Sequence, residues 1–148
     1  MKKLHLGCGC TILEDFRNID IDTKCGAEPM NLEQELPIED NSIDLVVISH
    51  TLCLLQNKER LVNEIYRILK PGGWLRLIDN PIRFFPGKIP IKIDEHTLAR
   101  STLIKWLKDR FTNVYEIDND KTNIDTNMLA IFERARASHP SFTLEAQK

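Results

Sequence analysis

Along the chain, short apolar runs alternate with longer segments whose apolar residues recur every three or four positions. The clearest run is Ile43-Asp44-Leu45-Val46-Val47-Ile48, where nearly unbroken Leu, Val and Ile suit a strand buried on both faces. Over residues 58–69, Leu61, Val62, Ile65, Tyr66 and Leu69 fall on one stripe of a helix, and Asn57 is placed to cap it. Pro71-Gly72-Gly73 stops that helix, and residues 74–78 read as the next strand, ending at Asp79-Asn80. The same reading gives strands at 3–6, 17–21 and 30–32 and a turn or single helical turn over 33–41. A second helix is expected over 97–110, with Leu98, Ala99, Leu103, Trp106 and Leu107 facing inward. Residues 113–117 and 128–132 flank a polar run and suggest a terminal antiparallel pair. Residues 81–95 hold Pro81, Pro86, Gly87 and Pro90 and read as a long irregular segment. Residues 135–148 show no period, so a flexible tail is expected after a single domain over 1–134.

Strands alternating with helices predict an α/β sheet, mostly parallel, with helices on both faces. In such sheets ligands bind outside the carboxyl ends of the strands. Gly7, Gly9, Asp20, Asn31, Ser49, His50, Asp79 and Asn80 all fall at expected carboxyl ends. Leu4-His5-Leu6-Gly7-Cys8-Gly9-Cys10 is a strand breaking into a Gly-x-Gly turn, which lets a ligand approach the backbone. Asp20, at the tip of the next strand, can accept hydrogen bonds from vicinal ribose hydroxyls. Only residues 10–19 separate Gly9 from Asp20, enough for little more than one helical turn. Dinucleotide sites place a full helix and about 20 residues there, so a nicotinamide-dependent oxidoreductase is disfavoured.

Composition narrows the picture further. The 148 residues, 42% hydrophobic and 28% charged, suit one domain with a substantial core. A net charge of -2 gives no general electrostatic reason to expect nucleic acid as the partner. The longest apolar run is far too short to span a membrane, and Met1-Lys2-Lys3 does not lead into a signal-peptide core. Cys8, Cys10, Cys25 and Cys53 lack structural zinc spacing, and Cys8 and Cys10 are too close for an easy mutual disulfide. Four reduced thiols in a cytoplasmic protein and no metal are therefore expected, in preference to a metal site using Cys8, Cys10 and a histidine. His5 alternates with core residues on the first strand and His96 reads as a helix cap; neither is given a chemical role.

The segment Leu69-Lys70-Pro71-Gly72-Gly73-Trp74-Leu75 then joins the others into a recognisable order. Taken with Leu4 to Gly9, Asn18-Ile19-Asp20, residues 36–45 and Glu64 to Leu69, it resembles the class I S-adenosylmethionine-dependent methyltransferases. The likeness is to their small type 11 branch and covers roughly residues 3–132. It implies a Rossmann-like seven-stranded sheet with an antiparallel last strand, S-adenosylmethionine as cofactor, and methyl transfer to a small-molecule acceptor. Carried over residue by residue, it gives a cofactor-binding set of Gly7, Cys8, Gly9, Asp20, Ile21, Asn31, Leu32, Ser49 and His50. Gly7 and Gly9 would face the methionine part, and Asp20 the ribose. Asn31 stands where the family usually has an aspartate beside the adenine, and Leu32 would line that pocket. Ser49 and His50 would lie near the sulfonium, with His50 either a catalytic base or an anchor for the strand end.

Two departures stand out: the truncated first helix, and Cys53-Leu54 where many type 11 members carry Glu-His. They leave room for a rival, a non-catalytic cofactor-binding or partner-binding domain on the same fold. In residues 81–95, Arg83, Phe84 and Phe85 read equally as an acceptor lid or as cover for the sheet edge. Lys88 and Lys92 read as attraction for an anionic acceptor or as a solvated loop.

Overall fold

The computed structural model describes residues 1–79, 100–117 and 142–148. Among these, the strands are β1 (Lys3–Leu6), β2 (Arg17–Asp20), β3 (Glu28–Pro29), β4 (Ile43–Ser49), β5 (Leu69–Asp79), β6 (Asn113–Ile117) and β7 (Phe142–Gln147). The α-helices are α1 (Lys58–Ile68) and α2 (Arg100–Lys108), with a 3-10 turn at Leu52–Leu54. The strands form one sheet in the order β3-β2-β1-β4-β5-β7-β6. All neighbours through β5 pair in parallel, while β7 runs antiparallel to both β5 and β6. The winding reverses between β1 and β4, so the crevice between their carboxyl ends is the topological switch point.

Successive side chains of a strand face opposite sides, and the sheet's two faces differ accordingly. One carries Leu4, Leu6, Val46, Ile48, Leu75, Leu77, Leu144 and Ala146, all buried. Against it pack Leu61, Val62, Ile65 and Ile68 of α1, with Leu103 and Leu107 of α2. Asn57 caps α1 as expected, its side chain accepting the Arg60 N–H at 3.2 Å. The other face has a smaller cluster of Leu13, Val47 and Ile78, with Phe16 and Leu45 against it. Thus both described α-helices sit on one face, and Leu13 and Phe16 of the β1–β2 connection help cover the other.

That connection holds no helix; residues 7–16 form turns. Its order comes instead from the Asn18 side chain. Asn18 Nδ2 donates to the Leu13 and Phe16 carbonyls at 2.9 and 3.0 Å, and its Oδ1 accepts the Leu13 N–H at 3.0 Å. One amide side chain here takes over backbone bonds that a helix would otherwise supply. His5, 1% exposed, lies beside it with Nδ1 3.3 Å from Asn18 Oδ1.

Burial pushes the His5 pKa below its ordinary 6.5, against smaller opposing effects of Asn18, the Thr11 backbone and the Asp20 charge. The unfolded imidazole takes up a proton below about pH 6.5 while the native one resists it. The unfolded chain then binds more protons, so this contribution is fully present above that pH and declines as pH falls. Urea unfolding is expected to show a lower midpoint at about pH 5.5 than at about pH 7.5. An NMR titration placing His5 at or above 6.5 would contradict this.

Several boundaries differ from the sequence reading. The third strand is Glu28–Pro29, not 30–32. Beyond Pro29 the chain turns away from β2: Met30 still donates to the Asp20 carbonyl at 3.1 Å, but Asn31 starts a turn. Pairing of β5 begins at Leu69 rather than at Trp74, with a register shift over the Lys70-Pro71-Gly72-Gly73 segment. A Cβ at Gly73 would come within 2.9 Å of the Lys70 carbonyl and 3.1 Å of the Ile43 carbonyl, which is why glycine stands there. Trp106, expected to face inward, is only partly buried, as is Trp74, which stacks on Tyr115 at 6.2 Å.

The largest correction concerns the C-terminal segment. Residues 142–147 are not a loose tail but β7, inserted between β5 and β6. Lys148 closes the pairing: its N–H donates to the Gly73 carbonyl, and its carbonyl accepts from Gly72 N–H. The proposed strand at 128–132, the irregular segment 81–95 and the rest of the tail lie outside the described residues. Among those described, no helix is long and apolar enough to cross a membrane.

Candidate functional site

The chain's glycine turn leaves β1 and folds back onto β2. Gly7 and Cys8 both donate their N–H groups to the Ile19 carbonyl, at 2.8 and 3.1 Å. Gly7 has φ +66° and Gly9 φ +52°, a region in which side chains are strained. The two glycines serve different ends. A Cβ at Gly7 would overlap the Thr51 side chain, whereas one at Gly9 would meet nothing within 4 Å. Gly7 is therefore a packing requirement, and the space beside Gly9 is open to a ligand.

Asp20 sits opposite this turn at the end of β2. Its Oδ2 accepts the Gly9 N–H at 2.8 Å and its Oδ1 accepts the Asp22 N–H at 2.9 Å. A carboxylate has about four acceptor positions. Asp20 thus fixes the glycine turn and the following loop while keeping lone pairs for further donors. Ile21, next along, is 73% exposed, placing an apolar side chain beside this polar edge.

Across the switch point, β4 ends at Ser49 and the chain turns at His50, with φ +51°. The His50 N–H donates to the Ile78 carbonyl at 2.8 Å, tying this corner to β5. Thr51 then reaches back to β1: its hydroxyl lies 2.9 Å from the Gly7 carbonyl and 3.0 Å from the Ser49 carbonyl, and can donate to either. One residue thereby latches the corner after β4 to the glycine turn. Sequence reasoning gave Thr51 no role. The only available signal was its position directly after Ser49-His50 at a strand end.

The remaining expected residues are placed less centrally. Cys8 is 4% exposed; burial pushes its thiol pKa up, and the thiol lies 3.5 Å from the Gly9 carbonyl. Asn31 spends its Oδ1 on the Glu33 N–H at 2.9 Å. Leu32, 6% exposed, is part of the main core. Asp79 ends β5 at the same edge, and Asn80 with Arg83, Phe84, Phe85, Lys88 and Lys92 lies outside the described residues. No cluster of three metal-ligating side chains occurs among the described residues. The expectation of four reduced thiols is corrected: Cys10 and Cys25 form a disulfide, and only Cys8 and Cys53 keep their thiols. The turns after β1 and β2 bring Cys10 and Cys25 together in space, which their separation of 15 residues does not reveal.

This sheet order, with its antiparallel β7 and a glycine turn facing an acidic strand tip, defines the class I S-adenosylmethionine-dependent methyltransferase fold. Residues 16–77 match the family model described as methyltransferase domain. Over 46 residues the chain is 46% identical to a ubiquinone/menaquinone biosynthesis C-methyltransferase of Hydrogenovibrio crunogenus, covering 31% of this chain and 18% of that protein. Over 53 residues it is 43% identical to a demethylmenaquinone methyltransferase of Listeria welshimeri, covering 36% of this chain and 22% of the relative. The matched stretch is thus about a fifth of each curated relative's length. A solved S-adenosylmethionine-dependent methyltransferase from Aquifex aeolicus aligns with 99% of this chain and 81% of its own, at TM-score 0.63 and 17% identity. The [4+2]-cyclase SpnF aligns with 99% of this chain and 74% of its own, at TM-score 0.63 and 15% identity. One architecture therefore carries more than one chemistry, and function has to be argued from the site.

Proposed function

We propose that the chain binds S-adenosylmethionine at the crevice between β1 and β4 and transfers its methyl group to a small-molecule acceptor. The observation that carries this reading is convergence. Gly9, Asp20 and Ile21 on one side of the switch point, and Ser49 and His50 on the other, share one edge joined by the Thr51–Gly7 contact. The residues suit the group: open space at Gly9, acceptor capacity at Asp20, and an exposed apolar surface at Ile21.

In this reading Gly7-Cys8-Gly9 lies along the methionine part and the spare lone pairs of Asp20 take the ribose hydroxyls. Ile21 offers a flat apolar surface to the adenine ring. Asn31, its oxygen accepting the Glu33 N–H, keeps a second lone pair for the adenine amino group and an NH2 to donate to a ring nitrogen. Leu32 supports that end from the core. When bound, the cofactor supplies an electrophilic methyl group. The protein's share is to hold the acceptor in line and exclude water, and orientation of this kind contributes about 7–11 kcal/mol. His50, held past the strand end, takes a proton where the acceptor's nucleophilic atom is protonated.

The name of the Hydrogenovibrio relative, a C-methyltransferase, makes a carbon acceptor the first to test. Cytoplasmic residence belongs to the same reading, and an exposed disulfide fits it where the bond is exchangeable. Calorimetry with S-adenosylmethionine and S-adenosylhomocysteine tests the proposal. Wild type is expected to bind both, and Asp20→Ala to bind about tenfold more weakly or worse, through loss of charge-assisted hydrogen bonds. Equal affinity in the variant would remove Asp20 from the site.

A further inference from the structure

The Cys10–Cys25 disulfide joins the two loops that flank Asp20, with Cα atoms 5.0 Å apart. Cys10 directly follows Gly9, whose N–H is held by one Asp20 oxygen. Cys25 lies in the turn closed by the Gly26 N–H on the Thr23 carbonyl, just past Asp22, whose N–H is held by the other oxygen. The bond and the carboxylate thus fasten the same two loops, one covalently and one by hydrogen bonds. Both bridged cysteines are exposed to solvent, whereas Cys8 between the two glycines is buried. Exposed disulfides are the ones open to attack by an outside thiolate.

We propose that Cys10–Cys25 is a thiol–disulfide exchange site that sets the affinity of the adjoining cofactor crevice, high when oxidised and low when reduced. This rests on the cofactor reading given above. In the oxidised chain the ring of residues 10–25 encloses β2 and Asp20, so the loops are already ordered. After reduction a ligand must order them itself, and that entropy is subtracted from binding. The exchange partner is a thiol reductant. Its thiolate attacks one sulfur of the bond, and the other leaves as a thiolate that takes up a proton. A second reductant thiol resolves the mixed disulfide. The protein gains two electrons and two protons to give two thiols, and two reductant thiols become one disulfide.

The test uses the full chain and S-adenosylhomocysteine. Calorimetry on protein treated with oxidised or reduced dithiothreitol is expected to show binding at least roughly fivefold tighter in the oxidised state. Cys25→Ser is expected to show the weaker affinity under both conditions. Because coupling is reciprocal, saturating ligand should shift the reduction midpoint in a glutathione series by the same factor. Equal affinities, or an unmoved midpoint, overturn the proposal. So does loss of the near-ultraviolet circular dichroism on reduction, since the bond would then hold the fold rather than the crevice. Absence of binding in both states defeats the cofactor reading itself and takes this proposal with it, a result distinct from equal binding.

Discussion

Replacing Gly7 with alanine is expected to cost about 2–4 kcal/mol of stability and to abolish cofactor binding. Two penalties combine. At φ +66° a Cβ is strained by about 1–2 kcal/mol, and it would overlap Thr51 Oγ1 and Cγ2 besides. Relief of that overlap means moving Thr51, and with it the latch between the corner after β4 and the glycine turn. Thr51→Gly in the same chain clears the space but leaves the backbone strain. The double variant should therefore recover part of the loss, and the two changes should be non-additive in a double-mutant cycle. Denaturant unfolding of the four proteins measures this. A Gly7→Ala chain within about 0.5 kcal/mol of wild type would refute the packing account.

Removal of residues 142–148 is expected to leave a chain without a cooperative unfolding transition. β7 pairs with β5 from Trp74↔Gln147 to Asp79↔Phe142 and with β6 from Asn113↔Gln147 to Ile117↔Thr143. Without it, two strand edges lose their partners at once, and buried N–H and C=O groups have nothing to bond. Thr143, Leu144 and Ala146 are each 1% exposed or less, so the strand is interior on both faces. The losses extend to the end of the chain, where the Lys148 ammonium donates to the Tyr66 carbonyl at 2.7 Å and to Asn41 Oδ1 at 2.8 Å. Leu144→Ala gives a graded version, with an expected cost of about 2–5 kcal/mol. A truncated chain that still melts cooperatively near the wild-type temperature would show that β7 is dispensable.

What the sequence disclosed and what it hid follow from the range of the interactions concerned. β1, β4, β6 and α1 were readable because their signals are local: a nearly unbroken apolar run at 43–48, and one apolar stripe with an asparagine cap at 57–68. The edge bearing Gly7, Gly9, Asp20, Ser49 and His50 was readable because strand ends and turn residues are local too. β7 was missed although Phe142, Leu144 and Ala146 alternate with polar residues. Its polar side is not a solvent side: Thr143 is buried, and Glu145 pairs with Arg76 across to β5. The Thr51 latch and the Cys10–Cys25 bridge were missed for a common reason. Each joins residues whose proximity exists only once β1 has a neighbour, β2 for the bridge and β4 for the latch, a fact of topology that no spacing along the chain expresses.

In the proposed function, one edge of one sheet receives the adenosyl cofactor. The most direct measurement is an amide NMR titration of the intact chain with S-adenosylhomocysteine. Shifts are expected at Gly7, Cys8, Gly9, Asp20, Ile21, Asp22, Ser49 and His50, at the carboxyl ends of β1, β2 and β4. Saturation without movement of these amides, or movement confined to residues elsewhere in the fold, would contradict the claim.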